Sequence, residues 1–269
     1  MKLGCWVISL NEQDPQTQEL LSSLKSHGLD PKLSPAVDGR KMMPSLQGDE
    51  FLDESEAKIR HKRSLTSSEL GCYLSHYRTI KLAYDHGYDR ACIMEDDVLL
   101  EPDFGTCLKK LLDLPDEYEM IRLMALKIRK RKIVAPLFED RQHLHEIVRP
   151  ERGWCGTQGY VLSRPGMKKI LDFASNIYEP IDKLYDHFFE FDLRLFGIEP
   201  HLIYERICSS TISRTPKKLP KMRLHEKIKF QIYKAYRSHI RHSYLKKHAQ
   251  EFYPCGLPET RTGNTIRMK

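Results

Sequence analysis

A chain of 269 residues, 40% hydrophobic and 30% charged, can bury one substantial core, so one large domain with an appendage is expected. The formal charge of +7 belongs to the tail: Lys217 to Lys269 carries fourteen Lys and Arg against three Asp and Glu, leaving thirty against thirty-four for Met1 to Pro216. That division argues against a uniformly basic nucleic-acid binder, and seven scattered cysteines with no CxxC pair signal neither a zinc site nor a disulfide scaffold. In chain order, the apolar run Leu3 to Leu10 stops at Asn11-Glu12-Gln13-Asp14, too short for a signal-peptide core or a bilayer span, and a cytosolic location is expected. Trp6 to Leu10 reads as a buried strand, Gln16 to His27 as a helix stopped by Gly28, and Lys32 to Ala36 as a second strand, the rhythm of an α/β fold.

Thr66-Ser67-Ser68-Glu69 is a capping box, and Leu70, Leu74, Tyr77 and Tyr84 follow at helical spacing before Gly87, which predicts a helix over about Ser67 to His86. Ala91 to Met94 has room for one buried strand and ends in Glu95-Asp96-Asp97. Further strands are expected at Met120 to Leu126 and Gly159 to Leu162. A helix is expected from near Pro165 with Met167, Ile170, Leu171 and Ala174 inward, another from Ile181 to about Leu195, and a closing strand at His201 to Glu205. After Ser213 a proline-punctuated basic linker leads into a long amphipathic stretch from Leu224 to about Ala249. The division expected is a catalytic domain over 1–216 and a basic helical segment over 217–269.

Three consecutive carboxylates raise one another's pKa unless a cation sits among them, so the triplet is either a solvated acidic turn or a divalent-metal site at the carboxyl end of a strand. Hard oxygen donors there suit Mg²⁺ or Mn²⁺. On the preceding helix, ELGCYLSH places Glu69, Cys72 or Tyr73, and His76 along one side, where a carboxylate and an imidazole face one cleft.

ELGCYLSH followed, about a helix and a turn later, by an apolar strand ending in EDDV resembles glycosyltransferase family 25, the bacterial lipooligosaccharide galactosyltransferases. VISL at Val7 to Leu10, AVDGR at Ala36 to Arg40, GTQGYVLSRPGMKKIL at Gly156 to Leu171 and EPIDKLYD at Glu179 to Asp186 match in order, so the likeness covers roughly Met1 to Ile212. One departure is Asn11-Glu12-Gln13-Asp14-Pro15, which stands where family members usually carry arginines.

The resemblance implies a GT-A fold, a Rossmann-like mixed sheet flanked by helices that binds a UDP-sugar at the carboxyl ends of its strands. It implies Asp97 as direct ligand of Mn²⁺ or Mg²⁺, with Glu95 and Asp96 towards ribose and donor sugar, and His201, Ser210 or Thr211 as guesses for a second ligand. Ile8, Ser9 and Leu10 would lie beside uracil and ribose with Asp38 and Gly39 in the next loop, and Glu69 and His76 would face the same donor cleft. Gly156, Thr157 and Gln158 would approach the sugar; Trp154 is either a sugar-stacking ring or core. Asp182 is the first candidate for the base that takes the acceptor proton, with Glu179 and Asp186 as alternatives and helix capping as the plain reading of each. The activity implied is inverting, β-1,4 transfer of galactose from UDP-galactose to a lipooligosaccharide or lipopolysaccharide acceptor. The alternatives are another UDP-hexose such as glucose or N-acetylglucosamine, a metal-dependent nucleotide-sugar phosphohydrolase, and a non-catalytic basic adaptor.

Between Lys217 and Lys247 lie eleven Lys or Arg and one acid, Glu226, interleaved with Ile228, Ile232, Tyr236, Ile240 and Tyr244. Such a helix either lies on an anionic membrane or packs on the domain with a solvated basic face. The location expected is cytoplasmic and peripheral on the inner membrane, with no nucleic-acid partner.

Overall fold

The computed structural model describes residues 2–127, 129–138, 144–206 and 224–252. In chain order its elements are β1 (Leu3–Ser9), α1 (Pro15–Ser26), β2 (Pro31–Pro35), β3 (Phe51–Leu52), α2 (Glu54–His61) and α3 (Ser67–Asp85). Next come β4 (Arg90–Glu95), β5 (Val98–Leu100), α4 (Phe104–Leu112), β6 (Met120–Arg122), β7 (Arg131–Pro136), β8 (Glu146–Pro150) and β9 (Gly159–Ser163). The remainder are α5 (Arg164–Ala174), β10 (Asn176–Ile177), α6 (Ile181–Asp186), β11 (Leu195–Glu199), β12 (Ile203–Glu205), α7 (Leu224–Lys247) and α8 (Ala249–Phe252).

Eight strands form one mixed sheet in the order β2-β1-β4-β9-β6-β11-β8-β7. β1 runs parallel to β2 and β4, β6 runs parallel to β11, and β9 is antiparallel to both β4 and β6. Side-chain alternation divides each strand between two cores. Trp6, Ile8 and Ile93 face the layer that holds α3, α5 and α6, whereas Cys5, Val7, Cys92 and Met94 face α1 and α4. The fold class is therefore the expected one, a Rossmann-like mixed sheet covered by helices on both faces.

Helix α3 starts and stops where its sequence signals stand. Thr66 Oγ1 accepts from the Glu69 amide while a Glu69 carboxylate oxygen accepts from the Thr66 amide at 2.8 Å, and Gly87 takes φ +71° just beyond the C-cap. Gly71 and Gly39 explain why two of the motifs belong together. A Cβ on Gly71 would stand 2.6 Å from the Val37 carbonyl oxygen and one on Gly39 1.9 Å from that of Ser67, so the loop after β2 lies backbone to backbone on the first turns of α3.

Three expectations are corrected. The helix from Ile181 ends at Asp186, followed by a 3₁₀ turn over Phe188–Glu190, a positive φ at Asp192 and β11. Leu184 and Tyr185 with Phe188 and Phe189 repeat at four-residue spacing, yet they fill one core through a turn rather than along one helix face. The strand expected from Met120 to Leu126 keeps only Met120–Arg122 in the sheet, although Leu123 to Ala125 remain buried. His201 to Glu205 does not close the large sheet: Ile203–Glu205 pairs antiparallel with β5 in a separate ribbon.

The basic tail divides its faces. Tyr244 of α7 is buried, Tyr233 donates to Glu190 at 3.1 Å, and Lys62 caps the Phe230 ring at 4.3 Å, so one face packs on the domain. Leu224, Ile228, Ile232 and Tyr236, four residues apart, are exposed. Ser210, Thr211 and the linker after Ser213, including Lys217 to Arg223, lie outside the described residues. Among the described residues no helix is long and apolar enough to cross a membrane.

Candidate active site

Strand register assembles the acidic end of the sheet. Ile8 pairs with Glu95 between β1 and β4, and Met94 pairs with Gly159 between β4 and β9, so Ser9, Glu95 and the Thr157-Gln158 loop meet at one edge. The Glu95 amide donates to the Gln158 carbonyl at 3.0 Å, and β12 brings Glu205 opposite Val98 while the Arg206 amide donates to the Asp97 carbonyl at 2.7 Å. Four carboxylates, Glu95, Asp96, Asp97 and Glu205, therefore share one small region.

Their environments differ. Glu95 is engaged: the Thr157 hydroxyl donates to it, and His76 Nε2 lies 3.2 Å from its Oε1. Burial works to raise its pKa, but these bonds, the His76 charge and the Arg122 guanidinium outweigh burial and hold it low. His76, itself buried, is fixed on the other side by Tyr160 at 2.8 Å, and Tyr160 by Tyr185 at 3.2 Å. Asp96 accepts from Thr17 at 3.2 Å, and Thr17 shares a 2.9 Å hydroxyl contact with Ser9, which ties the first strand to the triplet.

Asp97 is the exception. Its Oδ1 is buried and has no hydrogen-bond partner among the described residues, and burial, then the charges of Glu95, Glu205 and Asp96, push its pKa up to about 7. A buried carboxylate facing other carboxylates is stabilised by a cation, and an all-oxygen donor set matches a hard divalent ion. Among the described residues, the two clusters whose His, Cys, Asp or Glu ligand atoms all lie within 4.8 Å of one another are Cys72-His76-Glu95 and Asp103-Cys107-His145, so neither contains Asp97.

The remaining candidates fall into engaged and open groups. Glu69 is held bidentately by Arg63 at 2.6 and 2.7 Å beside its capping role, and Asp38 by Arg40 on an exposed loop, with its pKa drawn down to about 2 by that hydrogen bond. On α3 it is Cys72 that lies beside His76 and Glu95, whereas Tyr73 is buried and donates to the Ala174 carbonyl at 2.8 Å. Ile8 is core and Leu10 exposed. Trp154 is fully buried against Gly197, so it is core and not a stacking platform. His201 packs between the Trp154 and Tyr204 rings, and burial pushes its pKa down to about 4, with Arg131 adding to the effect.

Of the three base candidates, Glu179 accepts from His187 at 2.8 Å, and Asp186 accepts from the Cys155 amide at 3.0 Å, anchoring a residue with φ +57°. Those are structural bonds. Asp182, on the first turn of α6, is partly exposed; burial raises its pKa and Asp186 adds to that, against Lys183, Arg122 and a hydrogen bond from the Gly156 backbone. Gly156 takes φ +79°, which presents its amide to Asp182, and a Cβ there would stand 2.3 Å from Gln158 Oε1.

Sequence reasoning missed Arg122. Its buried guanidinium donates to the Cys155 and Gly156 carbonyls, pins the loop, and lies close enough to lower the pKa of both Glu95 and Asp182. The available signal was one arginine within the apolar run Met120-Ile121-Arg122-Leu123-Met124.

Comparison with known proteins places this arrangement. The chain is 29% identical over 216 residues to procollagen galactosyltransferase 1 of Danio rerio, covering 74% of this chain and 35% of that protein. It is 27% identical over 216 residues to procollagen galactosyltransferase 2 of Homo sapiens, with 74% and 34% covered. It is also 29% identical over 219 residues to the probable inactive glycosyltransferase 25 family member 3 of Bos taurus, covering 73% and 36%. The chain thus spans about a third of the length of these relatives. Among solved structures, a Drosophila beta-1,4-galactosyltransferase 7 mutant in complex with manganese, UDP-Gal and xylobiose matches at TM-score 0.41 and 10% identity, over 85% of this chain and 79% of that one. The sequence model of glycosyltransferase family 25 (LPS biosynthesis protein) matches residues 3–185, from β1 through the triplet and the Gly156 loop to α6, and the chain belongs to that family.

Proposed function

We propose that this protein is an inverting, metal-dependent galactosyltransferase that moves galactose from UDP-galactose, in β-1,4 linkage, to a lipooligosaccharide or lipopolysaccharide acceptor. The observation that carries the reading is the carboxylate cluster at the end of β4, where Asp97 is half-buried, its Oδ1 has no hydrogen-bond partner among the described residues, and its pKa is pushed up to about 7. The names of the two procollagen galactosyltransferases favour galactose, and the family description favours a lipopolysaccharide acceptor.

In this reading Asp97 would hold Mn²⁺ or Mg²⁺, and the bound ion would supply Lewis-acid stabilisation of the departing diphosphate. The chain's own residues do the rest. The backbone of Ile8, Ser9 and Leu10, with Asp38 and Gly39, lines the uridine side, and Glu95 and Asp96 take ribose and sugar hydroxyls. His76, backed by Tyr160, keeps Glu95 in one orientation, while Thr157, Gln158 and the Gly156 backbone close over the sugar. Asp182 accepts the proton of the attacking acceptor hydroxyl; its raised pKa makes it a stronger base than an ordinary aspartate.

The test is UDP release from UDP-galactose, UDP-glucose and UDP-N-acetylglucosamine, with and without Mn²⁺ and a truncated lipooligosaccharide. Release that needs both Mn²⁺ and acceptor is the expected result. Equal release without acceptor identifies a hydrolase, and a preference for another sugar corrects the donor.

The exposed stripe Leu224, Ile228, Ile232 and Tyr236 on a helix rich in Lys and Arg supports a peripheral position on the cytoplasmic face of the inner membrane. Flotation with phosphatidylglycerol vesicles tests it. Absence of binding at low salt rules the position out.

A further inference from the structure

A cleft of about 450 Å³ lies between α7 and the catalytic domain, bounded among the described residues by eight Arg or Lys and two carboxylates, Glu179 and Asp186. Part of that charge is internally balanced. Arg60 pairs with Glu56 and Glu190, Arg237 approaches Glu179 at 3.9 Å, and Lys183 lies between Asp182 and Asp186. Arg129, Arg152, Lys234 and Arg241 are different: among the described residues none is in salt-bridge contact with a carboxylate.

The fold forces these cations together. The Lys127 amide donates to the Trp154 carbonyl at 3.0 Å and the Glu151 amide to the Lys130 carbonyl at 3.1 Å, so the loops carrying Arg129 and Arg152 run side by side. Helix α7 lays Lys234 and Arg241 across the same opening, and Arg129, Arg152 and Arg241 also border a second cleft next to it. Burial first, then the charges of Arg152, Arg129 and Arg237 against the opposing pull of Glu151, press the Arg241 pKa down, so like charge crowds this side of the cleft. Guanidinium groups converging on a solvent-filled cleft match the oxygens of a phosphate group, which they bind by paired, charge-assisted hydrogen bonds.

We propose that this cleft is an anion subsite for a phosphate group carried by the acceptor saccharide. Resting on the transferase reading, the acceptor side is favoured over the donor side because Lys183 and Asp186, neighbours of Asp182, line the cleft, whereas Glu95, Asp96 and Asp97 do not. A phosphorylated sugar seated there brings its hydroxyls to the base and away from the uridine pocket.

Calorimetric titration of the full chain, with UDP and Mn²⁺ saturating so that the donor site is filled, separates the sources of phosphate. Glucose 6-phosphate, inorganic phosphate and phosphatidylglycerol vesicles are the three probes. The expected result is saturable binding of glucose 6-phosphate, tighter than inorganic phosphate, that weakens at least about ten-fold in the Arg152→Ala/Lys234→Ala double variant. Both residues are exposed, so the variant should fold, and Arg152→Lys with Lys234→Arg should recover most of the affinity. Binding unchanged in the Ala variant, no saturable binding of either soluble phosphate, equal affinity for the two, or binding to vesicles alone each overturns the proposal. UDP-galactose binding with Mn²⁺, measured separately, should be unchanged in the variant. If wild type binds glucose 6-phosphate yet not UDP-galactose, the transferase reading fails and the anion subsite stands.

Discussion

The carboxyl end of β4 and the cleft beneath α7 are electrostatic opposites built by different means. At the first, a contiguous triplet on one strand end concentrates negative charge, and the neighbours that hold Glu95 and Asp96 leave Asp97 Oδ1 without a partner among the described residues. At the second, arginines and a lysine from residues 129, 152, 234 and 241 converge through loop pairing and helix docking. Each region accumulates like charge that folding alone would not favour, which directs attention to a ligand of opposite sign. Asp182 takes a hydrogen bond from the Gly156 backbone and lies beside Lys183, which borders the basic cleft.

The largest effect is expected at the acidic end. Asp97→Asn retains shape but removes the charge, and metal-dependent transfer should fall on the order of a thousand-fold or more, measured as kcat/KM at saturating Mn²⁺. Near-normal activity would dissolve the contrast between the two regions. Asp182→Asn should reduce kcat about a hundred-fold or more while leaving UDP-galactose binding intact. Loss of donor binding instead would move Asp182 from the acceptor side to the donor side.

A third test concerns His201, whose ring the fold keeps neutral against Trp154. Its folded-state pKa of about 4 lies below the ordinary value of 6.5, so the unfolded chain binds more protons between those limits. Stability should therefore decline as pH falls from about 6.5 towards 4, by up to about 3 kcal/mol for this group, and His201→Gln should flatten that dependence in denaturant titrations. An unaltered slope would mean that other groups dominate. Smallest is Glu69→Gln, which keeps one capping hydrogen bond but weakens the Arg63 pair; thermal unfolding should show a loss of about 1 kcal/mol. A much larger fall in donor affinity than in stability would instead make Glu69 a ligand contact.

Legibility followed the range of the interactions. The capping box of α3 and the buried strand before the triplet are local signals, and each stands where it was expected, while the first strand is present but runs Leu3–Ser9 and leaves Leu10 exposed. The end of α6 was misread because four-residue spacing of Leu184, Tyr185, Phe188 and Phe189 serves a helix and a helix-plus-turn equally well. Strands β7 and β8 drew no expectation because as an antiparallel pair at the sheet edge they mix charged and apolar residues.

By itself the sequence determined the α/β class, the motif chain from VISL to EPIDKLYD, and the place of three carboxylates at a strand end, since each depends on residues adjacent along the chain. Only tertiary structure decided which carboxylate oxygen lacks a partner among the described residues, that the Arg122 charge acts on both Glu95 and Asp182, and that one face of α7 packs on the domain over a basic cleft. The reason is physical. Burial and through-space charge depend on distances between segments far apart in sequence, and strand register and helix docking set those distances.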